Sequence, residues 1–310
     1  MTSRREFIDS TGKVLMMPLF SNLPMFAAAG EAIAVDAHAH VFTNSLRISP
    51  FHRYIPHYSA SLDAYLGLLR RFDFTNGVII QPSFLGVDNS YLLACLKQCP
   101  DRLRGVIVID PGRGLEAIDE LHDAGCTGIR LNLFGLPDPP LKNPNWEKTL
   151  ARMRGLGWHV ELHVEACRIH ELAPAILDAG VRIVVDHFGR PDPSLGIDDP
   201  GFHYLLSLAR TRQVWVKISG FYRNGENGRG EQIALQAIPL FKSTFGLERM
   251  LWGSDWPHTQ FEETVNYEVA YRFMLRMLPD EAERRVVLGS TPKELYRIGQ
   301  TRRQPVSSSG

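Results

Sequence analysis

The chain has 310 residues, 44% of them hydrophobic, and its 34 basic side chains balance 34 acidic ones. That length can bury the core of one α/β barrel domain of about 250 residues, and a chain with no Lys/Arg block carries no electrostatic footprint for nucleic acid. No stretch reaches the roughly 18 uninterrupted apolar residues of a membrane span, and Cys95, Cys99, Cys126 and Cys167 have neither zinc-ribbon nor disulfide-framework spacing, so they read as mostly buried thiols.

Residues 1–30 differ from the rest. Ser3-Arg4-Arg5-Glu6-Phe7-Ile8, a moderately apolar stretch from Val14 to Phe26 and the small-residue site Ala27-Ala28-Ala29 read as a twin-arginine signal peptide, which would place the mature chain in the periplasm. Pro18, Asn22 and Pro24 interrupt the apolar stretch and leave a cytoplasmic chain with a frayed tail as the alternative.

From 31 to 300, short β-branched runs alternate with amphipathic stretches, the pattern of parallel strands joined by helical crossovers. The predicted strands are Ile33 to Phe42, Gly77 to Ser83, Gly105 to Asp110, Gly128 to Phe134, His159 to Glu165, Arg182 to Phe188, Val214 to Gly220 and Met250 to Trp256. Helices are predicted over Ser61 to Phe72, Ser90 to Cys99, Gly114 to Ala124, Trp146 to Leu156, His170 to Ala179, Gly201 to Ala209, Leu278 to Leu288 and Thr291 to Ile298. Eight such units favour a single-domain (β/α)8 TIM barrel over a doubly wound sheet. Pro-, Gly- and Asn-rich insertions at 43–60, 135–145, 191–200 and 224–230 read as substrate loops, and the Ser-rich end, 301–310, as a disordered tail.

Where the runs stop, polar residues recur. Val35-Asp36-Ala37-His38-Ala39-His40 places two imidazoles on one side of an extended strand. Further runs end in His159-Val160-Glu161-Leu162-His163, in Val184-Val185-Asp186-His187-Phe188-Gly189-Arg190 and in Leu251-Trp252-Gly253-Ser254-Asp255-Trp256-Pro257-His258. Packing would favour Val, Ile or Leu at such positions. Active sites of a barrel gather at the carboxyl ends of its strands, where His38, His40, Ser83, Arg130, His163, His187, Ser219 and Asp255 are expected. Tyr54, Phe84 and Trp256 are candidates for the pocket wall, with aromatic packing as the bland alternative.

The His-x-His after the first strand, with His163, His187 and Asp255 after later ones, resembles the amidohydrolase superfamily. The strings Val185-Asp186-His187-Phe188-Gly189-Arg190-Pro191 and Trp252-Gly253-Ser254-Asp255-Trp256-Pro257-His258 are similar to its branch of 2-pyrone-4,6-dicarboxylate, sugar and muconolactone lactonases. The superfamily resemblance implies that His38, His40, His163, His187 and Asp255 hold a divalent metal, with Asp255 also taking a proton from water. Arg130 stands where two-metal members carry a bridging lysine or acid, so one zinc or none is implied. The branch resemblance implies catalysis without metal, Asp255 as base, and Ser83, Arg130, Arg190, Arg223 and His258 as substrate contacts. Many such barrels associate, so a homo-oligomer is a further expectation, although sequence does not fix it.

The residues themselves suit ester hydrolysis, which needs an activated water and a stabilised carbonyl oxygen. Arg130, Arg190 and Arg223 near strand ends can clamp a carboxylate, so a small anionic substrate is expected, with each arginine read alternatively as a structural ion pair. The expectation is a hydrolase opening a lactone of a small carboxylated ring, with His38, His40 and His187 working beside Asp255. The alternatives are a metal-dependent decarboxylase of a small aromatic or unsaturated carboxylate, and a non-enzymatic anion-binding barrel.

Overall fold

Eight apolar runs become eight parallel strands: β1 (Val35–Ala39), β2 (Asn76–Ile80), β3 (Leu103–Ile107), β4 (Cys126–Asn132), β5 (His159–His163), β6 (Arg182–Val185), β7 (Val214–Lys217) and β8 (Met250–Leu251). Each pairs with the next in chain order, and a parallel bridge between Ala39 and Trp256 brings the last unit back to the first. The result is the expected TIM barrel. The computed structural model describes residues 33–300 apart from 51, 113 and 114, so the export signal read over 1–30 and the tail over 301–310 lie outside the described residues.

Between the strands run α1 (Leu62–Arg71), α2 (Ser90–Gln98), α3 (Leu115–Asp123), α4 (Pro144–Gly155), α5 (Ile169–Asp178), α6 (Pro200–Ser207), α7 (Arg229–Thr244) and α8 (Tyr267–Met277). Ser61 caps α1 by accepting from the Ala64 backbone N–H, and Asn143 caps α4 in the same way through Trp146. No described helix is long and apolar enough to cross a membrane.

Two helices were not anticipated. The buried face of α7 is Ile233, Ala234, Ala237, Ile238 and Phe241, a helical spacing obscured in sequence by Pro239 and by the glycines at its start. α8 buries Ala270, Phe273, Met274 and Met277 behind an Asn266 cap. The helix predicted over Leu278 to Leu288 begins later than expected: Leu278 closes α8, and the helical stretch covers Glu281–Arg285 and continues as a wider turn over Val286–Ser290.

The strands stop two to five residues earlier than predicted, because the chain leaves the sheet to turn polar side chains over the barrel mouth. Short helical turns at Ser83–Leu85, His187–Gly189 and Phe221–Asn224 do this. Non-glycine residues with left-handed φ gather in the same loops: His187 at 48°, Arg190 at 53°, Asp255 at 59° and His258 at 66°. Such conformations cost about 1–3 kcal/mol each and persist where surrounding structure imposes them.

Val35, Val78, Ile80, Val106, Val184 and Leu251 form one buried cluster with Leu295, Tyr296 and Ile298 from the end of the described chain. Burying each such aliphatic side chain contributes about 1.5–3 kcal/mol. Of the cysteines, Cys95 and Cys126 are buried whereas Cys167 is exposed.

Candidate active site

The carboxyl ends of the strands surround a cavity of about 340 Å³ whose walls include His40, Arg53, Tyr54, Ser83, Arg130 and Asn132. His163, His187, Arg190, Arg223 and Asp255 complete its reactive lining. His38, Ser219 and His258 are the polar residues expected at the site that do not reach the cavity wall; Ser219 Oγ instead lies 3.0 Å from His187 Nδ1. His38 is fully buried at its floor, with Nε2 3.3 Å from His40 Nε2 and 3.7 Å from Asp255 Oδ1.

His258 corrects the sequence reading. It is 1% exposed, its ring centroid lies 6.0 Å from that of Tyr222, and it stands behind the wall. Its backbone N–H donates to the Asp255 carbonyl, so it holds the turn that carries Asp255. Phe84 and Trp256 also leave the lining: both join the packing around Phe42 and Ala60.

Asp255 is the one carboxylate in the wall. Its Oδ2 accepts hydrogen bonds of 2.6 Å from both Tyr222 Oη and Arg223 Nε. Its Oδ1 has no hydrogen-bond partner and faces His40 Nε2 at 3.6 Å. Burial alone would raise its pKa, but Arg223 above all, then His187, outweigh burial and hold it well below the usual carboxylate range.

Arg130, read as a substrate clamp, is largely committed to the barrel interior. Nε and Nη2 donate to Asp186 Oδ2 at 3.0 and 2.7 Å, and Nε lies 3.5 Å from Glu161 Oε1. Arg190 is different. It stacks over the Phe134 ring at 4.1 Å, lines the cavity and forms no ion pair among the described residues. Burial, aided by Arg223, pushes its pKa down only to about 10, so it stays a cation at neutral pH. Arg53, which sequence reasoning missed, spans the mouth by donating to the Phe134 carbonyl at 2.5 Å and to Asn132 Oδ1 at 2.9 Å.

Below the cavity lies a second missed group. Lys217, Glu161 and Asp186 are fully buried, with the Lys217 ammonium bonded to Glu161 and 3.6 Å from Asp186 Oδ1. The sequence signal was an ionisable residue closing the apolar run Val214-Trp215-Val216-Lys217 and the same-side alternation of His159, Glu161 and His163.

Of the five residues read as metal ligands, His38, His187 and Asp255 present donor atoms within 4.8 Å of one another, all buried. This His/Asp set suits a divalent ion, and the unpartnered Asp255 Oδ1 is a ready ligand. Among the described residues His40 and His163 stand outside that set. A second set, His38 with Glu161 and Asp186, meets the same distance condition, but the Lys217 ammonium is bonded to Glu161 there and lies 3.1 Å from His38 Nδ1.

Burial keeps the site imidazoles neutral. His38, His40, His159 and His163 fall below the ordinary value of 6.5, His187 to about 3 and His258 to about 4. These depressed values contribute stability above pH 6.5 that is lost as pH falls, because the unfolded chain then binds protons the native one refuses. Asp36 and Glu161 act in the opposite sense: burial raises them to about 6 and about 8, so their cost is relieved on acidification. With six rings against two carboxyls, the urea midpoint is expected to be lower at pH 5 than at pH 7. A midpoint that rises on acidification would show that the rings are not buried neutral.

The sequence profile of the family described as Amidohydrolase matches residues 35–298. The chain is similar to a 2-pyrone-4,6-dicarboxylate hydrolase from Comamonas testosteroni, 31% identical over 85% of this chain and 90% of that protein. It is also similar to a 4-sulfomuconolactone hydrolase from Hydrogenophaga intermedia, 29% identical over 84% of this chain and 88% of that protein. Among solved structures, one from Acinetobacter baumannii described as a "probable 2-pyrone-4,6-dicarboxylic acid hydrolase" with citric acid bound is 40% identical. It superposes with a TM-score of 0.83, covering 85% of this chain and 99% of that one.

Proposed function

The chain belongs to the amidohydrolase family, and from that premise we propose that it is a lactone hydrolase acting on a small ring that carries carboxylates. One observation carries the reading. The cavity sets four arginines, Arg53, Arg130, Arg190 and Arg223, around a single carboxylate, Asp255, whose free oxygen faces the His38–His40 pair.

A substrate carboxylate is held by Arg190, with Arg53 and Ser83 as neighbours on the wall. Water adds to the lactone carbonyl carbon while Asp255 Oδ1 takes its proton, and the carbonyl oxygen gains the negative charge. His38 at the floor and Arg130 supply positive electrostatic character to that oxygen. The ring C–O bond then breaks, and the departing oxygen takes the proton back from Asp255. His38, His187 and Asp255 are the residues that would hold a divalent ion, zinc in our reading, which supplies carbonyl polarisation and a more acidic water when bound.

Arg223 ties substrate capture to base strength. While it is bonded to Asp255 Oδ2 it keeps the carboxylate a poor base, and a substrate anion that draws the guanidinium away restores basicity. Even so, a carboxylate base suits a ring-activated ester better than an amide.

The reading is tested by following ring opening of 2-pyrone-4,6-dicarboxylate and 4-sulfomuconolactone spectroscopically, with wild type and Arg190→Leu. Ring opening with KM raised about tenfold to a hundredfold in the variant, the loss expected for one charge-assisted contact, supports it. Release of carbon dioxide without ring opening would instead make the chain a decarboxylase.

A further inference from the structure

His38 touches more charged groups than any other imidazole of the site, and their geometry settles which of its nitrogens carries the proton. On one side, His40 Nδ1 lies 2.8 Å from the Ile80 carbonyl oxygen. A carbonyl only accepts, so His40 Nδ1 is the protonated nitrogen and the neutral ring presents a lone pair at Nε2. The 3.3 Å contact between the two Nε2 atoms then requires His38 Nε2 to donate.

On the other side, Lys217 Nζ lies 3.1 Å from His38 Nδ1. An ammonium only donates, so His38 Nδ1 is the acceptor. Asp186 Oδ1 and Glu161 Oε1 are also near Nδ1, at 3.4 and 3.6 Å. Neither makes a hydrogen bond with it, and both oxygens are left without a partner, as expected if Nδ1 carries no proton to offer them. Two independent contacts on opposite sides of the ring thus agree.

We propose that Lys217 is a positioning residue that favours the Nε2–H tautomer of His38, so that with no ion bound His38 enters the site as a hydrogen-bond donor to a carbonyl, and an ion is taken up there only once that proton has moved. A ligand at His38 Nε2 would need the proton transferred to Nδ1, where the Lys217 ammonium faces it at 3.1 Å. Lys217 therefore sets how readily the His38, His187 and Asp255 set takes up an ion, and the proton inventory of the ring is unchanged: one N–H in either tautomer. The inference deepens the lactonase reading and rests on it only for the identity of the carbonyl.

The test is a long-range ¹H–¹⁵N correlation spectrum of metal-free protein labelled with ¹⁵N-histidine, His38 being assigned by the signals lost in His38→Asn. The expected pattern is Nδ1 in the unprotonated range and Nε2 in the protonated range. In Lys217→Met only the His40 contact still holds the Nε2 proton, so the Nδ1–H tautomer, donating to Asp186 or Glu161, is expected to become populated, with zinc bound at least tenfold more tightly by competition with a chelating dye. Protonated Nδ1 in the wild type overturns the proposal, whether or not the variant folds. So does a folded Lys217→Met whose tautomer and zinc affinity are unchanged. Both readouts are taken without substrate, so a failure of lactone hydrolysis leaves them intact.

Discussion

Asp255→Asn is expected to lower kcat by about a thousandfold while KM stays level or falls, given that a positioned general base contributes roughly 10²–10⁴. The substitution keeps the side-chain shape and a partner for Tyr222, so the turn that carries it stays in place. It removes the one carboxylate of the cavity wall; burial opposes charging of the neighbouring imidazoles His40, His163 and His187, and Arg223 cannot act as a base. It also unties Arg223, whose Nε is bonded to Asp255 Oδ2 at 2.6 Å, leaving a guanidinium free to meet a substrate anion. The split between kcat and KM is the diagnostic part: an active site damaged in general would raise KM. Steady-state kinetics on the lactone decide it, and a variant retaining a tenth of wild-type turnover would remove Asp255 from the role of base.

The largest structural effect is expected from Gly253→Ala. A Cβ at Gly253 would meet His38 Cβ at 2.3 Å and the His38 backbone nitrogen at 2.5 Å, distances that real Cβ atoms do not adopt. Backbone cannot rotate away as a long side chain can, so β1 and the segment after β8 must part. Overpacking of this kind costs about 1–3 kcal/mol and sometimes more, and the upper end corresponds to a melting point lowered by roughly 5–10 °C in a chain of this size. Turnover should fall with it, because the displaced residue is His38. Gly67→Ala is the matching control: it lies in α1 with nothing nearer than Arg70 Nη2 at 4.0 Å, and it should be neutral or stabilise by about 0.5–1 kcal/mol. Calorimetry on both variants checks the contrast, and equal melting points would mean the seam can relax.

Much of the barrel was legible because a parallel strand buried on both faces is a short apolar run with little else to imitate it. Each of the eight runs held a strand, and Ser61 marked the start of α1 within one residue. The ends of the strands were not legible, since the residues that leave the sheet, such as Ile218 and Trp252, are as apolar as those within it. α8 was passed over because its apolar spacing follows the loop 257–266 without a strong breaker, and Leu278, which ends it, reads as the start of the helix that follows.

At the site, the histidines and Asp255 announced themselves by standing where apolar residues would pack. Arg130 and Arg190 did so too, yet sequence could not tell that the first is spent on Asp186 and the second is not. Lys217 and Glu161 carried a signal as ionisable residues within apolar runs, but their pairing was not legible. Their partners are contributed by different strands, Glu161 by β5 and Lys217 by β7, and only barrel closure makes them a pair.

The bonds that seal the barrel run through the reactive residues. Asp255 N–H donates to the His38 carbonyl, and His40 N–H donates to the Trp256 carbonyl, at 2.8 and 2.7 Å. The first and last strands to leave the ribosome therefore meet at the residues proposed as base and carbonyl donor. A growing chain that has made seven units holds the histidines of the first but has no base and no closing edge, so it is chemically silent throughout its synthesis. If Asp255 is the base, activity and the completed ring of strands arrive together.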